Sequence, residues 1–155
     1  MSDVLFVGQA PSSKSSAAEP FDGMAGSALA KLIGVSRDDF LGAFDRVNLF
    51  DRYPGRKPNA RKGDAFDVAA ATESAAKIAA GLTHRRVVLV GLGVARAFGL
   101  KRPRLFEWFD YGYDLEFRSV QFAVIPHTSG IVLFWNDQRN KRKARRFLRT
   151  VSRAV

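Results

Sequence analysis

The fold class of this chain is indicated by four short apolar runs that are rich in valine and phenylalanine. Runs of this kind are typical of strands buried on both faces, as in a parallel sheet covered by helices on each side. The runs are VLFV at residues 4–7, VNLF at 47–50, VVLV at 87–90 and FAVI at 122–125.

Stretches with helical periodicity separate these runs. The predicted helices cover residues 26–33, 67–82, 93–98 and a last segment from 136 or 137 to about 152. Asp67 is the predicted N-cap of the second helix. The last helix has a predicted buried stripe of Ala144, Phe147, Leu148 and Val151. Strands that alternate with helices predict a three-layer α/β/α fold with a mostly parallel central sheet of about four strands.

Three other segments complete the predicted organisation. Residues 108–119 (WFDYGYDLEFRS) are rich in aromatic side chains, and Leu115 and Phe117 alternate with charged residues, so an extra strand or a hairpin is predicted there. Residues 12–18 (SSKSSAA) predict a loop. Because no repeat and no long linker divides the chain, we expect a single domain over residues 1–155.

The composition restricts the partner and the chemistry. The chain has 25 Lys and Arg against 15 Asp and Glu, and its formal net charge of +10 favours a polyanionic partner, with an inert basic surface as the alternative. Cysteine is absent, which excludes disulfides, thiolate metal sites, iron–sulfur clusters and a cysteine nucleophile. The amino-terminal stretch does not resemble a secretory signal, and no apolar run approaches the roughly 20 residues of a transmembrane helix. We therefore expect a soluble cytoplasmic protein with no membrane partner.

A polar or glycine-containing signal follows each of the four predicted strands. The signals are GQAPS at residues 8–12, Asn48 with the basic stretch that follows it, GLG at 91–93 and PHTSG at 126–130. In an open α/β sheet, ligands bind in the crevice beyond the carboxyl ends of the strands. The four signals therefore predict one site at that edge.

The stretch GLGVAR, residues 91–96, invites a dinucleotide-binding interpretation. It lacks a third small residue at Arg96, and no acidic residue ends a following strand at the usual distance. Tight packing between strand and helix explains Gly91 and Gly93 better.

Taken together and in this order, the motifs resemble those of the uracil-DNA glycosylase superfamily. GQAPS resembles the first family motif, which has forms such as GQDPY and GEAPG, and HTSG at residues 127–130 stands where the family has HPS or HPSG. Residues 20–29 (PFDGMAGSAL), RVNLFDRYPG and VVLVGLGVARAFG resemble the corresponding runs of the branch that bears an iron–sulfur cluster. The resemblance spans most of residues 4–136.

The resemblance implies hydrolysis of the N-glycosidic bond of uracil, or of a related deaminated base, after the nucleotide is flipped out of the DNA stack. It implies that His127 donates a ring N–H to the base oxygen where negative charge develops, that Asn48 pairs with the uracil O4/N3 edge, and that Phe21 stacks on the base. The alternatives are a capping histidine, an Asx turn at Asn48 and ordinary core packing for Phe21. We expect no cofactor and no bound metal.

Gly8, Gln9, Ala10 and Ser12 of the first motif are implied to line the base pocket, but they depart from the family pattern. The loop has Gln9 and Ala10 where GQDPY has an aspartate and GEAPG a glutamate, so it carries no carboxylate. Gln9 could position water through its amide but cannot act as a base. Ser12 replaces the tyrosine that blocks the thymine methyl group, and the cluster cysteines are missing. Altered or reduced activity is therefore expected.

The segment after His127 is implied to hold DNA. Family members use this loop, here with Ser129 and Gly130, as a wedge, and Ile131, Val132 or Leu133 would fill the hole left by the flipped base unless they are core residues. A cationic helix follows, with predicted phosphate contacts at Arg139, Arg142 and Lys143, although a solvated face is the alternative. The basic residues of segment 51–63 lie near the same site, so binding would be steeply salt-dependent.

The leading hypothesis is a monomeric, nucleoid-associated DNA glycosylase whose partner is DNA with uracil or another damaged base. A second hypothesis keeps the fold without the chemistry, as a nucleic-acid-binding or damage-sensing module, and the missing carboxylate supports it. A third, a small-molecule nucleotide-binding enzyme, rests on GLGVAR and is disfavoured by the positive charge.

Overall fold

A five-stranded sheet with the order β2-β1-β3-β5-β4 forms the centre of the molecule. The computed structural model describes residues 2–13, 19–61, 63–113, 118–128 and 132–152. The strands are β1 (Val4–Gly8), β2 (Asp45–Asn48), β3 (Arg86–Val90), β4 (Phe109–Tyr113) and β5 (Ser119–Ile125). Strands β2, β1, β3 and β5 run parallel, and β4 is antiparallel to β5. The predicted fold class is confirmed.

Helices cover both faces of this sheet. They are α1 (Met24–Ile33), α2 (Arg37–Ala43), α3 (Val68–Ala80), α4 (Leu92–Ala97) and α5 (Gln138–Ser152), with a one-turn 3-10 helix at Leu133–Asn136. One apolar cluster joins α1, α2 and α5 to the sheet, and a second joins α3 and α4 to the opposite face. No helix within the described ranges is long and apolar enough to cross a membrane.

Side chains of the first strand alternate between the two clusters. Val4 and Phe6 belong to the cluster under α1, whereas Leu5 and Val7 belong to the cluster under α3, and all four are buried. Successive residues of a strand point to opposite faces, so a strand covered on both sides needs an uninterrupted apolar run. This is why VLFV shows no polar alternation.

Several predicted elements are confirmed in detail. The carboxylate of Asp67 caps α3 and accepts a hydrogen bond from the Ala70 amide at 3.0 Å. The stripe of α5 is buried as expected, at Ala144, Phe147, Leu148 and Val151.

The predicted extra strand in the aromatic segment is present: it is β4, an antiparallel edge strand, and it brings the sheet to five strands. Leu115 and Phe117 lie outside the described residues. One strand boundary needs correction, because the predicted strand 47–50 begins and ends two residues too late; β2 is Asp45–Asn48. The search for apolar runs passes over the charged residues Asp45 and Arg46, with which β2 begins. The amides of Leu49 and Phe50 still donate to the carbonyls of Gly8 and Gln9, both at 3.0 Å, beyond the strand's end.

One helix was not predicted at all. Ser36 caps α2, its side chain accepting from the Asp39 amide at 3.0 Å, and two aspartates stand in the first turn. The Ser-x-x-Asp spacing is a helix-start signal. The helix that follows it has only about two turns, which is too short for a helical periodicity to be recognised in the sequence.

Candidate active site

Asn48 and Phe21 converge on Gly8 at the carboxyl end of β1. Gly8 and Asn48 are directly paired in the register of β1 and β2. A Cβ atom added to Gly8 would lie 2.4 Å from Oδ1 of Asn48 and 2.9 Å from Cζ of Phe21. A side chain at position 8 would therefore displace both groups, and the glycine is what permits the carboxamide and the aromatic ring to meet.

The backbone holds Phe21 in an unusual conformation. Its φ angle is 64°, in the left-handed region that non-glycine residues rarely adopt, at a typical cost of about 1–3 kcal/mol. The ring is only 9% exposed and packs edge-on against Phe6 and Phe40. Phe21 is thus a core residue whose ring edge lies near Gly8, and its role in stacking on a base stays a prediction.

Arg46 braces the loop that carries Phe21. Its side chain is 13% exposed, and its guanidinium donates to the carbonyl oxygens of Pro20 at 2.8 Å, Leu41 at 2.8 Å and Phe44 at 3.1 Å. One planar group thus links the backbone just before Phe21 to the backbone at the end of α2. Nothing in the sequence pattern distinguishes this arginine from the others of the chain.

A second arginine and a glycine hold the same loop from the other side. Arg37 forms an ion pair with Asp22 and also donates to its carbonyl at 2.9 Å. Gly26 lies under Phe21 so closely that a Cβ atom there would be 1.8 Å from the Phe21 carbonyl oxygen. The position of Phe21 is therefore set by contacts before, after and beneath it.

His127 follows β5 and packs against the end of β3. A Cβ atom added to Gly91 would lie 3.6 Å from Cβ and 3.7 Å from Cδ2 of His127, and the Gly91 amide donates to the Ile125 carbonyl at 2.8 Å. Burial lowers the pKa of His127 below its usual value, while the charge of Asp64 acts in the opposite direction. A neutral ring with one N–H donor therefore prevails at neutral pH.

Two side chains that the sequence did not single out hold the backbone around His127. Thr128, 5% exposed, donates its hydroxyl to the Ala25 carbonyl at 2.8 Å. Trp135 donates its indole N–H to the His127 carbonyl at 2.7 Å. The histidine loop is thus bound both to the start of α1 and to the 3-10 helix. The tryptophan in the apolar run IVLFW was the available signal, because an indole in such a run needs a hydrogen-bond partner.

Asn48 and His127 lie at the same edge of the sheet but not side by side. Strands β1 and β3 separate β2 from β5, so the two backbone positions are three strand spacings apart, about 14 Å. Both side chains flank the crevice between them, with Asn48 against Gly8 and His127 against Gly91. A flipped base would have to lie across β1 and β3 to meet both.

The other residues of the first motif lie at this edge as well. Gln9 and Ala10 are partly exposed directly after β1, and the Gln9 carbonyl accepts from the Phe50 amide. Ser12 is exposed, and its hydroxyl is 3.5 Å from where a Cβ of Gly23 would be, just before α1.

Exposed aliphatic side chains surround the same edge. Leu133, a predicted wedge residue, is 79% exposed, whereas Val132 is partly buried. Ser129, Gly130 and Ile131 lie outside the described residues. Three further exposed aliphatic residues, each the first residue of a helix that follows a parallel strand, are Met24, Val68 and Leu92.

The predicted phosphate contacts lie on the outer face of α5. Arg142 and Lys143 are exposed, and Arg139 is exposed but pairs with Asp137 at 3.0 Å. The helix sequence QRNKRKARRFLRTVS contains no acidic residue. Its positive charge is therefore compensated mainly at its first turn.

No group of three or more His, Asp or Glu side chains capable of holding a metal ion occurs among the residues with described positions. A cavity of about 530 Å³ lies elsewhere, lined by residues 99–104 and 107–109. None of the candidate site residues lines this cavity.

A family model described as "Uracil DNA glycosylase superfamily" matches residues 1–150. No curated protein matches the chain.

Proposed function

The chain belongs to the uracil DNA glycosylase superfamily, and from that premise we propose that it releases uracil, or a related deaminated base, from DNA. Membership indicates a DNA glycosylase, with DNA as the partner. The observation that carries the finer proposal is the placement of Asn48 with Phe21 at Gly8, and of His127 at Gly91, on one edge of the sheet.

Asn48 would recognise the base. A carboxamide offers one acceptor and two donors, which complement the N3–H and O4 of uracil. The edge of Phe21 next to Oδ1 of Asn48 restricts where a ring can enter. Because the nucleotide must be flipped to reach this crevice, bases that pair weakly would enter at the least cost.

His127 would stabilise the leaving base. When the C1′–N1 bond breaks, its electron pair moves onto the base and charge accumulates on the carbonyl oxygens. A partly buried neutral imidazole can donate an N–H to that oxygen without being reorganised at the moment of reaction. Water then adds to C1′ of the sugar cation and loses a proton, and the base anion gains one, so the products are an abasic sugar and the free base.

The direct test is base release from labelled oligonucleotides. Single- and double-stranded substrates with one uracil, hypoxanthine or xanthine are incubated with the protein, and abasic sites are then cleaved with alkali. We expect strand breaks at uracil or at another of these deaminated bases and none in undamaged DNA. Breaks at none of the three would refute the proposal.

Replacing Asn48 by aspartate is expected to shift recognition from uracil towards cytosine. A carboxylate accepts but does not donate, so it suits the exocyclic amine of cytosine and repels the O4 atom of uracil. Removing a charged or polar pairing of this kind costs about 1–3 kcal/mol, or roughly 5- to 160-fold in rate. The measurement is the ratio of release rates from matched uracil and cytosine oligonucleotides. An unchanged ratio would mean that Asn48 does not contact the base.

Removing cations from α5 is expected to weaken DNA binding without changing which base is released. Each phosphate interaction that Arg142→Ala or Lys143→Ala removes should reduce the slope of log affinity against log salt by about 0.9 on duplex DNA. Lys77→Ala is the matched control, because Lys77 is an exposed cation on α3 that already pairs with Glu73 at 2.7 Å. Equal slopes for all three variants would exclude α5 from the interface.

A second candidate function is a damage-sensing module that binds lesions without excising them. The observation in its favour is Gln9, which stands where family motifs have a carboxylate. Selective binding of lesion-bearing oligonucleotides without strand breaks would favour this candidate.

A further inference from the structure

Most aspartates that begin or follow the loops at the carboxyl edge of the sheet already have a structural partner. Asp22 is paired with Arg37, Asp67 caps α3, and Asp137 is paired with Arg139. Of the described aspartates in these loops, Asp51 and Asp64 remain, and both are exposed in the connection between β2 and α3.

Asp64 lies in a hairpin of the connection that follows β2. Arg56 and Asp64 form an antiparallel bridge. The Ala65 amide donates to the Gly55 carbonyl at 2.9 Å, and the Lys57 amide donates to the Gly63 carbonyl at 3.0 Å. The backbone of Asp64 is therefore paired on both sides of the bridge, although the residue belongs to a long connection without helix.

Aromatic contacts two residues further on tie this hairpin to the strand ends. The Phe66 ring lies against Gly93, where an added Cβ would be 3.5 Å from Cε2 of the ring. The same ring packs edge-on against Phe50, at 5.7 Å between centroids, and the Phe50 amide is bonded to Gln9. Phe66 thus connects Phe50, which is bonded to the first motif after β1, with the start of α4 after β3, and Asp64 comes two residues before it.

The carboxylate of Asp64 is oriented but remains accessible. The Tyr53 hydroxyl donates to its Oδ1 at 3.1 Å. Desolvation and this bond raise the pKa of Tyr53, so the hydroxyl keeps its proton and remains the donor. Asp64 itself is exposed, as a group that meets a DNA-borne substrate must be.

The charge of Asp64 affects the pKa of His127. Burial is the larger influence on the pKa of His127 and lowers it, whereas the charge of Asp64 raises it. The two groups therefore belong to one electrostatic environment, although the connection between β2 and α3 and the end of β5 are distant in sequence.

We propose that Asp64 is the carboxylate that orients and deprotonates the attacking water in this chain, in place of the first-motif residue Gln9. The inference rests on the proposed base excision. In the step assigned to Asp64, which follows the breaking of the C1′–N1 bond, the water oxygen forms a bond to C1′ of the sugar cation and a water proton passes to the carboxylate. Tyr53 is then a positioning residue, since it acts only through Asp64.

The test compares two variants, Asp64→Asn and Asp51→Asn. The second is the control, because it makes the same change in the same connection. The measurement is the single-turnover rate at which each variant releases whichever deaminated base the wild type excises. Asp64→Asn is expected to lower the rate constant by about 100-fold, the lower end for general base catalysis. Binding of an oligonucleotide with non-hydrolysable 2′-fluoro-2′-deoxyuridine should stay equal or become tighter, because a negative charge is removed near DNA. An Asp64→Ala variant should recover rate when formate is added, whereas Asp51→Ala should show no formate dependence.

The outcomes separate the two proposals. If the wild type releases bases and Asp64→Asn does so at the rate of Asp51→Asn, Asp64 does not serve the water and only this inference is overturned. A parallel loss of rate and of binding to the uncleaved analogue, without formate rescue, would give Asp64 a structural role and overturns it too. If the wild type releases no base at all, the proposed function fails and this inference fails with it.

Discussion

Uracil release is expected to slow by about 100- to 1,000-fold when His127 is replaced by alanine, which is the usual loss on removing one donor to a developing oxyanion. The histidine follows β5, packs against Gly91, and is held by the bonds of Thr128 and Trp135. His127 is partly buried, and this burial lowers its pKa. A donor in such a position contributes more than one in water, because little solvent competes for the charge on the base. Single-turnover kinetics on a uracil oligonucleotide measure the effect on the chemical step.

The other histidine of the chain is the matched control. His84 lies at the opposite end of the sheet, just before β3, with its Nε2 2.9 Å from Oδ2 of Asp45. Its side chain is 14% exposed, so it is also largely buried. His84→Ala should lower the free energy of unfolding but leave the rate constant of folded protein unchanged. If the two alanine variants lose activity equally, the effect of His127 is one of stability, and its assigned role is wrong.

Replacing Gly26 by alanine is expected to destabilise the protein by about 3 kcal/mol, the upper part of the range for overpacked sites. An alanine Cβ would lie 1.8 Å from the carbonyl oxygen and 2.8 Å from the carbonyl carbon of Phe21. Backbone atoms cannot swing aside as a side chain can, so α1 or the loop must move. A loss of this size corresponds to a fall of about 10 °C in the melting temperature. Thermal unfolding followed by circular dichroism measures it.

Gly42 provides a control of opposite sign. It lies in α2, its backbone is helical, and nothing lies within 4 Å of an added Cβ. Gly42→Ala should therefore stabilise the protein by about 0.5–1 kcal/mol, because alanine favours the helix. If Gly26→Ala is as stable as Gly42→Ala, the close approach of α1 to Phe21 does not exist in solution.

The parallel core and the edge that carries the site could be predicted because short-range patterns determine them. An apolar run such as VVLV is buried on both faces wherever it stands, and parallel strands bring their carboxyl ends to one edge. The placement of Asn48 and His127 at that edge follows from these two facts. Their assigned roles in recognition and catalysis stay predictions.

The supports of the site could not be predicted, because they depend on contacts distant in sequence. Arg46 occupies a strand position and bonds the carbonyl of Pro20, which no periodicity reveals. The bridge of Asp64 to Arg56 and the contact of Phe66 with Gly93 likewise depend on how the connection after β2 folds back. The aromatic segment was ambiguous for a related reason: whether it pairs as an edge strand depends on its neighbour β5.

The bond from Thr128 to Ala25 joins residues 103 positions apart in the chain. The same helical turn that accepts this bond contains Gly26, which supports the Phe21 carbonyl. The loop that carries His127 and the loop that carries Phe21 therefore cannot unfold separately, because unfolding the first turn of α1 removes a contact from both. In native-state hydrogen exchange, amides of the two loops should report one shared opening free energy, the mark of a single cooperative unit.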